Sequence, residues 1–385
     1  MHAERRFLKT IITILTVICF SITALAGFFY ISFQEEVDRL LRVGVILKTQ
    51  HLHDVSVKQM LTGAVSGMVQ SLDDPYSIFM DAKEYNDLQN YIQGSIGGIG
   101  IYVGVKEKKL IVVSTIEGTP ASKAGILRDD VILKIGDTFT SELEYDEAIS
   151  RMRGEPGTKV TISIMRADEP KLLEFTLTRE HINIPSLESK ALADDIGYLR
   201  LLVFASNTDE AVTEHLQKLT EQGIKALVLD LRDNPGGDLE TAVNIAKQFV
   251  PKGPIVHIVD KGGRTQEVVS ADDDYLKLPL VVLINGGSAS ASEVLAGAIR
   301  DTKVGILMGE KTFGKGIVQG VFPIGREEGL KLTTSKYLTP NKTDIHEKGI
   351  EPDILVEQPI QDNTSGDKED IQLNKAIEYL LKQIK

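Results

Sequence analysis

The chain has 385 residues and 42% hydrophobic content, enough for two or three domains with sizeable cores. With 43 basic against 55 acidic residues its net charge is −12, and no long Lys/Arg run offsets it. That balance argues against nucleic acid as the main partner and makes the excess acid a solubility feature.

The first stretch is "MHAERRFLKTIITILTVICFSITALAGFFYISF", where Arg5, Arg6 and Lys9 precede an apolar, nearly charge-free run from Thr10 to Phe33. A run of that length can cross a bilayer, which takes about 20 residues. Residues 1–33 are therefore expected to be a membrane anchor or signal segment. Its basic flank favours a cytoplasmic N-terminus, with the rest of the chain on the extracytoplasmic side of the cell membrane. "ALA" at residues 24–26 is a possible cleavage site that would release a secreted protein, but the apolar run continues through "GFFYISF", so an uncleaved anchor is preferred. The only cysteine, Cys19, falls inside this run, so the exported part is expected to hold together without disulfides.

Residues 34–93 are predicted helical: "VDRLLRVGVILKTQ" and "VSVKQMLTGAVSGMVQSL" place apolar residues three and four apart before "DDPYS" breaks the pattern. His51 and His53 read as solvated helix-end residues rather than a metal pair, because no cysteine or third histidine is close in sequence.

Residues 94–180 read as short strands with glycine turns, "GSIGGIGIYVGV", "KLIVVST", "DDVILKIGD", "TKVTISIMR" and "LLEFTLTRE", interrupted by the helix-like "YDEAISRMRG". Glycines at 97, 98 and 100 let backbone N–H groups turn toward a carboxylate, and the next strand offers an edge to which a peptide can add. A glycine hairpin without a ligand is the alternative. With "GGIGIYV" followed by "GTPASKAGILRDDVILKIGD", the whole segment resembles a PDZ domain. The resemblance implies that Gly98, Ile99, Gly100 and Ile101 bind the C-terminus of a peptide.

From residue 181 to 358 strands alternate with helices. "IGYLRLLVF" precedes "TDEAVTEHLQKLTEQG", "IKALVLDLR" precedes "LETAVNIAKQFV", and "LPLVVLIN" precedes "SASEVLAGAIRD". This repetition predicts a largely buried α/β sheet covered by helices. Residues 359–385 form a polar linker and a short amphipathic helix whose apolar stripe is expected to dock on the body or on another subunit. The expected fold class is thus α+β multidomain.

Strand, tight turn and helix in "LPLVVLINGGSASASEVLAGAIRD" can lift a side chain to the rim of a sheet and aim helix N–H groups at it. Taken alone, however, "SASE" from Ser290 to Glu293 is a capping box that merely starts a helix. A nucleophilic serine needs a base, and none of His181, His215, His257 and His346 sits in a glycine-framed turn. Lys315 in "GEKTFGKGIVQG" does; burial without a counter-ion would depress its pKa far enough for it to accept a proton. Gln319, four residues on, shares its face in a strand, where a neutral amide can orient the amine.

Together, "NGGSASASEVLAGAIRD" and "KTFGKGIVQ" resemble the carboxyl-terminal processing peptidases, or tail-specific proteases, which pair a Ser/Lys dyad with an inserted PDZ domain on a crotonase-like core. The resemblance implies Ser290 as nucleophile, Lys315 as general base and Gln319 as the residue that orients it, with Ser288 and Ser292 outside the chemistry. "LVLDLRDNPGGDLETAV" resembles the family's oxyanion turn, which implies N–H donors at Gly237 and Ala291. "GMVQSLDDPYSIFM" and "KLTTSKYLTPNKTDIHEKGIEPDI" extend the match, though "TPNK" replaces a small residue and glycine. The implied function is a serine endopeptidase that cleaves exported proteins near exposed C-termini, with the PDZ domain recognising the terminus or gating the site. Its implied partners are such protein substrates, an activator or adaptor, the membrane, and further copies of itself in a dimer or larger ring. Neither a metal nor a cofactor is needed, and the "DDD" at 272–274 reads as a solvated turn. Arg153 in "MRGEPGT" is read either as a contact between PDZ domain and core or as a solvated helix-end residue. The rival classes are a catalytically silent PDZ scaffold on the membrane surface and an acyl-CoA enzyme, which would gain nothing from an export segment.

Overall fold

The computed structural model describes residues 12–18, 20–21, 23, 33–106, 109–143, 145–167, 169–183, 185–270, 274–358 and 370–384. Much of the apolar run from Thr10 to Phe33, Cys19 included, lies outside the described residues, as do Asp272 and Asp273 and most of the polar linker after residue 358. Among the described residues no helix is long and apolar enough to cross a membrane.

Residues 1–79 form one unit and residues 80–385 a second. In the first unit lie helices α1 (Gln34–Gln50) and α2 (Val57–Gln70). Ser56 caps α2 by accepting the Gln59 N–H, while α1 buries none of its side chains. His51 and His53 follow α1, both exposed, with ring centroids 5.9 Å apart.

The second unit begins with α3 (Ala82–Ile92), whose start is fixed by a full capping box between Asp81 and Glu84. The chain then enters the glycine-rich module through β1 (Ser95–Gly98) and leaves it through β7 (Glu180–Asn183); the two pair antiparallel as a stem. Between them, β2 (Ile101–Lys106), β3 (Lys109–Thr115), β4 (Val131–Ile135), β5 (Lys159–Met165) and β6 (Leu173–Thr178) form an antiparallel sheet in that order, with β2 at its edge. Helix α4 (Tyr145–Met152) closes it over a core that includes Val112, Ile132, Ile162 and Ile164. Gly100 has φ +78°, and a Cβ there would lie 2.3 Å from the Thr119 hydroxyl, so only glycine fits.

The α/β core is a six-stranded sheet. Strand β8 (Leu187–Ala191) is antiparallel to β9 (Ile196–Leu201); β10 (Ala226–Asp230), β13 (Leu280–Ile284), β14 (Ile306–Gly309) and β17 (Ile354–Leu355) follow in parallel. Its two central strands, β10 and β13, are buried at every residue, hence their unbroken apolar runs. Alternate residues serve opposite faces. Leu199, Leu227, Leu229, Val282 and Ile284 pack under helices α5 (Thr208–Glu221), α6 (Leu239–Lys247) and α7 (Ala291–Asp301), whereas Tyr198, Val228, Val281 and Met308 face the C-terminal helix α8 (Ile371–Leu381) through Ala376 and Leu380. The C-terminal helix therefore docks on this chain's own core.

A second, antiparallel sheet, not anticipated from the βα repetition, is built from β11 (Gly253–Asp260), β12 (Thr265–Ser270), β15 (Ile317–Ile324) and β16 (Glu328–Leu338). The "TPNK" turn keeps a glycine-like backbone without glycine, since Lys342 adopts φ +61° and donates its N–H to the Thr339 carbonyl.

Leu380 is fully buried between α8 and the sheet. Leu380→Ala should lower the unfolding free energy by about 2–5 kcal/mol in urea titration, since α8 is the helix that covers this face.

Candidate active site

Residues Asp230 and Leu283 lie side by side across the parallel pair β10–β13, so the turns after these strands emerge together at the carboxyl end of the sheet. One turn carries Asn234, Gly236 and Gly237, the other Ser288, Ser290 and Ser292. They are stitched by hydrogen bonds: the Ser288 hydroxyl donates to the Leu231 carbonyl at 2.8 Å, the Ser292 hydroxyl to the Asn234 carbonyl at 2.9 Å, and the Ala289 N–H to that same carbonyl at 3.0 Å. The outer two serines are thus fully buried struts.

Ser290 differs. It is partly exposed and held at φ +55°, ψ −113°, a conformation that a non-glycine residue keeps only when its surroundings enforce it. Its N–H donates to the Glu293 carboxylate at 2.9 Å, so the glutamate arm of the capping box is formed. The same carboxylate reaches much further than a cap. Its Oε1 accepts the Thr312 hydroxyl at 2.6 Å and the Gly314 N–H at 2.8 Å; its Oε2 also accepts the Lys315 N–H at 2.8 Å. From the other side, the Tyr337 hydroxyl lies 2.9 Å from the Ser290 carbonyl oxygen and 2.8 Å from that of Lys315, sharing its proton between them. Burial, reinforced by the Glu293 charge, pushes the Tyr337 phenol well above its ordinary pKa, so it stays a donor. Glu293 and Tyr337 therefore bind the backbones of Ser290 and Lys315 to each other at both N–H and C=O.

Lys315 lies in the loop before β15 rather than in the strand, and is half-buried. Burial is the first cause that draws its ammonium below the usual lysine range; the positive charge of Lys331 adds to this, and Glu293 opposes it. The expectation of a lysine without a counter-ion is thus corrected: a carboxylate is near, but its effect is the smallest of the three. Gln319 lies in β15 opposite Thr333, just past a register shift after Val318, so the simple strand spacing from Lys315 does not apply. Lys331 sits on β16 opposite Val321, one pair further along that face. The His346 backbone packs against Gly316, next to Lys315.

Beside the serine, Gly236 is buried with φ +102°. A Cβ on it would lie 2.8 Å from the Ala289 oxygen, 2.9 Å from the Ala291 nitrogen and 3.0 Å from the Ser290 Cβ. Its own N–H is held by the Asn234 side chain at 2.9 Å. Gly237 bridges Phe204 in parallel: the bonds run through the Gly236 carbonyl and the Asp238 N–H, so the Gly237 N–H points to the side away from Phe204. Ala291 is the first residue of α7.

In the glycine-rich module, Gly98, Ile99, Gly100 and Ile101 all line one cleft of about 410 Å³, with Ile149 and Met152 of α4 opposite. Arg153 lines it too, as does Tyr91, supplied by α3 from outside the module. Glu293, Tyr337, Asn234 and Tyr91 were missed as site residues. For Glu293 the capping-box spacing was a usable signal; the other three show none.

Residues 195–356 match the model of peptidase family S41, residues 97–177 that of the PDZ domain, and residues 30–84 that of the activating protease CtpB N-terminal domain. The chain is 39% identical to a carboxy-terminal-processing protease of Bartonella bacilliformis, over 86% of this chain and 78% of that one. It is 34% identical to the carboxy-terminal processing protease CtpB of Bacillus subtilis, over 84% and 68%. Among solved structures, a photosystem II D1 C-terminal processing protease aligns with a TM-score of 0.52 at 32% identity, covering 82% of this chain and 85% of that one.

Tyr337→Phe removes the hydroxyl that serves both carbonyls and should cost about 0.5–1.5 kcal/mol in chemical denaturation, the net worth of a hydrogen bond, since the Ser290 carbonyl keeps its bonds from the Glu293 and Val294 N–H groups.

Proposed function

The chain belongs to the carboxyl-terminal-processing proteases of peptidase family S41, and we propose that Ser290 is its nucleophile and Lys315 the base that activates it. It is a serine-type peptidase, and its substrates are proteins. The observation that carries the assignment is the double tie of Glu293 and Tyr337, which holds these two residues, 25 apart in sequence, as one structural unit.

In this reading neutral Lys315 takes the Ser290 hydroxyl proton as the oxygen attacks the scissile carbonyl carbon. The Gly237 and Ala291 N–H groups receive the negative charge of the tetrahedral intermediate. Lysinium then gives its proton to the leaving amine, and a water deprotonated by Lys315 hydrolyses the acyl-serine. Gln319 orients the amine. A substrate's terminal carboxylate docks at Gly98–Ile101 while the preceding residues add to the edge strand β2, which places a bond upstream of the terminus at Ser290.

Three attachments belong to the same proposal. Arg5, Arg6 and Lys9 before the apolar run support export and a membrane anchor. The exposed Leu40, Leu41, Ile46, Leu61 and Met68 on α1 and α2 support self-association. An activator or adaptor protein is expected to act through the PDZ cleft. The catalytically silent scaffold is disfavoured, because both dyad residues are present and held in one unit.

Residues 34–385 should cleave an unstructured protein such as casein, and Ser290→Ala and Lys315→Ala should each abolish cleavage; equal proteolysis by wild type and Ser290→Ala would discard the assignment. The pH profile of kcat/KM supplies a second check. Activity requires the neutral amine, so it should rise with pH through a limb below the usual lysine pKa. Lys331→Met removes a repelling charge and raises the Lys315 pKa, which should move that limb to higher pH; a limb unchanged in Lys331→Met would mean another group titrates.

A further inference from the structure

The mechanism leaves unused a buried charged cluster at the root of the oxyanion turn. Arg232 follows β10 by two residues and directly precedes the turn that ends in Gly237. Its Nε donates to Asp230, which is fully buried, at 2.9 Å. Its two terminal nitrogens donate to the two carboxylate oxygens of Asp370 at 2.8 Å each, and one of them to the Gln372 Oε1 at 3.1 Å. Asp370 is the N-cap of α8, where its Oδ1 also accepts the Leu373 N–H at 2.9 Å. Gln372 is 1% exposed and donates to the Val356 carbonyl at 2.8 Å. Burial works against the Asp370 charge, but the bonds from Arg232 and the Leu373 N–H outweigh it and hold the carboxyl below the usual carboxylate range. The side chain of Arg232 is 13% exposed, so this pairing is shielded from water on one side.

The turn thus has two anchors. Toward the nucleophile, the carbonyls of Leu231 and Asn234 accept the hydroxyls of Ser288 and Ser292. Toward the far end of the chain, Arg232 reaches residues 138 and 140 positions later. A shift at either anchor moves Gly236 and Gly237 relative to Ser290, against which Gly236 already packs without room for a methyl group.

We propose that Asp370 and Gln372 are positioning residues for the peptidase reaction: through Arg232, the first turn of the C-terminal helix sets where the Gly237 N–H stands relative to Ser290, so full catalytic rate requires the contact of Arg232 with Asp370 and Gln372. The inference rests on the roles given above to Ser290 and Gly237.

Asp370→Asn tests it cleanly, since asparagine caps a helix as well as aspartate does but lacks the charge that Arg232 grips. At a temperature where the variant is folded, kcat for a peptide substrate should fall at least ~10-fold while KM changes less than ~3-fold, the signature of an interaction made in the transition state. Affinity for a peptidyl aldehyde, whose tetrahedral adduct on Ser290 puts an oxygen in the oxyanion site, should fall in proportion. Leu380→Ala loosens the same helix without touching Arg232, so it should lower the unfolding midpoint and keep kcat. Wild-type kcat in Asp370→Asn, unchanged aldehyde affinity, or an equal kcat loss in folded Leu380→Ala would overturn the inference. Ser290→Ala run alongside separates the two claims: if it cleaves like wild type, the catalytic reading itself falls, whereas an inactive Ser290→Ala beside a fully active Asp370→Asn removes only this inference.

Discussion

The buried carboxylate of Glu293 determines where Ser290 and Lys315 can stand in this protein. It is fully buried and accepts four hydrogen bonds, two of them from the N–H groups of Ser290 and Lys315. A buried carboxylate without its donors is costly, so the helix start at 290 and the loop at 312–315 must reach it together. Tyr337 applies the same constraint to the two carbonyls. Side-chain rotation remains available to serine and lysine; separation of their backbones does not.

This arrangement also resolves two apparent conflicts. A helix cap and a site position looked like rival readings of "SASE", yet the Ser290 N–H to Glu293 bond that caps the helix also ties Ser290 to the Lys315 loop, so the cap is one arm of a larger clamp. A carboxylate near a lysine favours its protonated form, yet burial and Lys331 together outweigh Glu293 and the Lys315 pKa is lowered. The strained backbone of Ser290, of the kind that costs about 1–3 kcal/mol, is held by bonds on both sides.

Much of this was legible in the sequence because it is locally encoded. Unbroken apolar runs alternating with helix-period segments gave the parallel strands and their helices, and glycines at 98 and 100 marked the cleft of the PDZ domain that the structure lines with Gly98, Ile99, Gly100 and Ile101. What could not be read depends on contacts between distant segments. Glu293 meets Thr312 and Gly314 about twenty residues on, Arg232 meets Asp370 far along the chain, and Tyr91 enters the cleft from another helix. Residues 253–270 and 317–338 pair as a separate sheet because their partners are each other rather than the parallel core. The register shift beside Gln319 shows the limit of spacing arguments: one extra residue in a strand reverses which side chains share a face.

The central claim, that Ser290 attacks with Lys315 as its base, is tested most directly by trapping the acyl-enzyme. Wild-type protein quenched in acid during turnover of a peptide ester should carry the substrate's acyl part on Ser290, located by mass spectrometry of its digest, and Lys315→Ala should form no such adduct on the same timescale. An acyl group found on a different side chain, or formed on Ser290 at the wild-type rate without Lys315, would contradict the account.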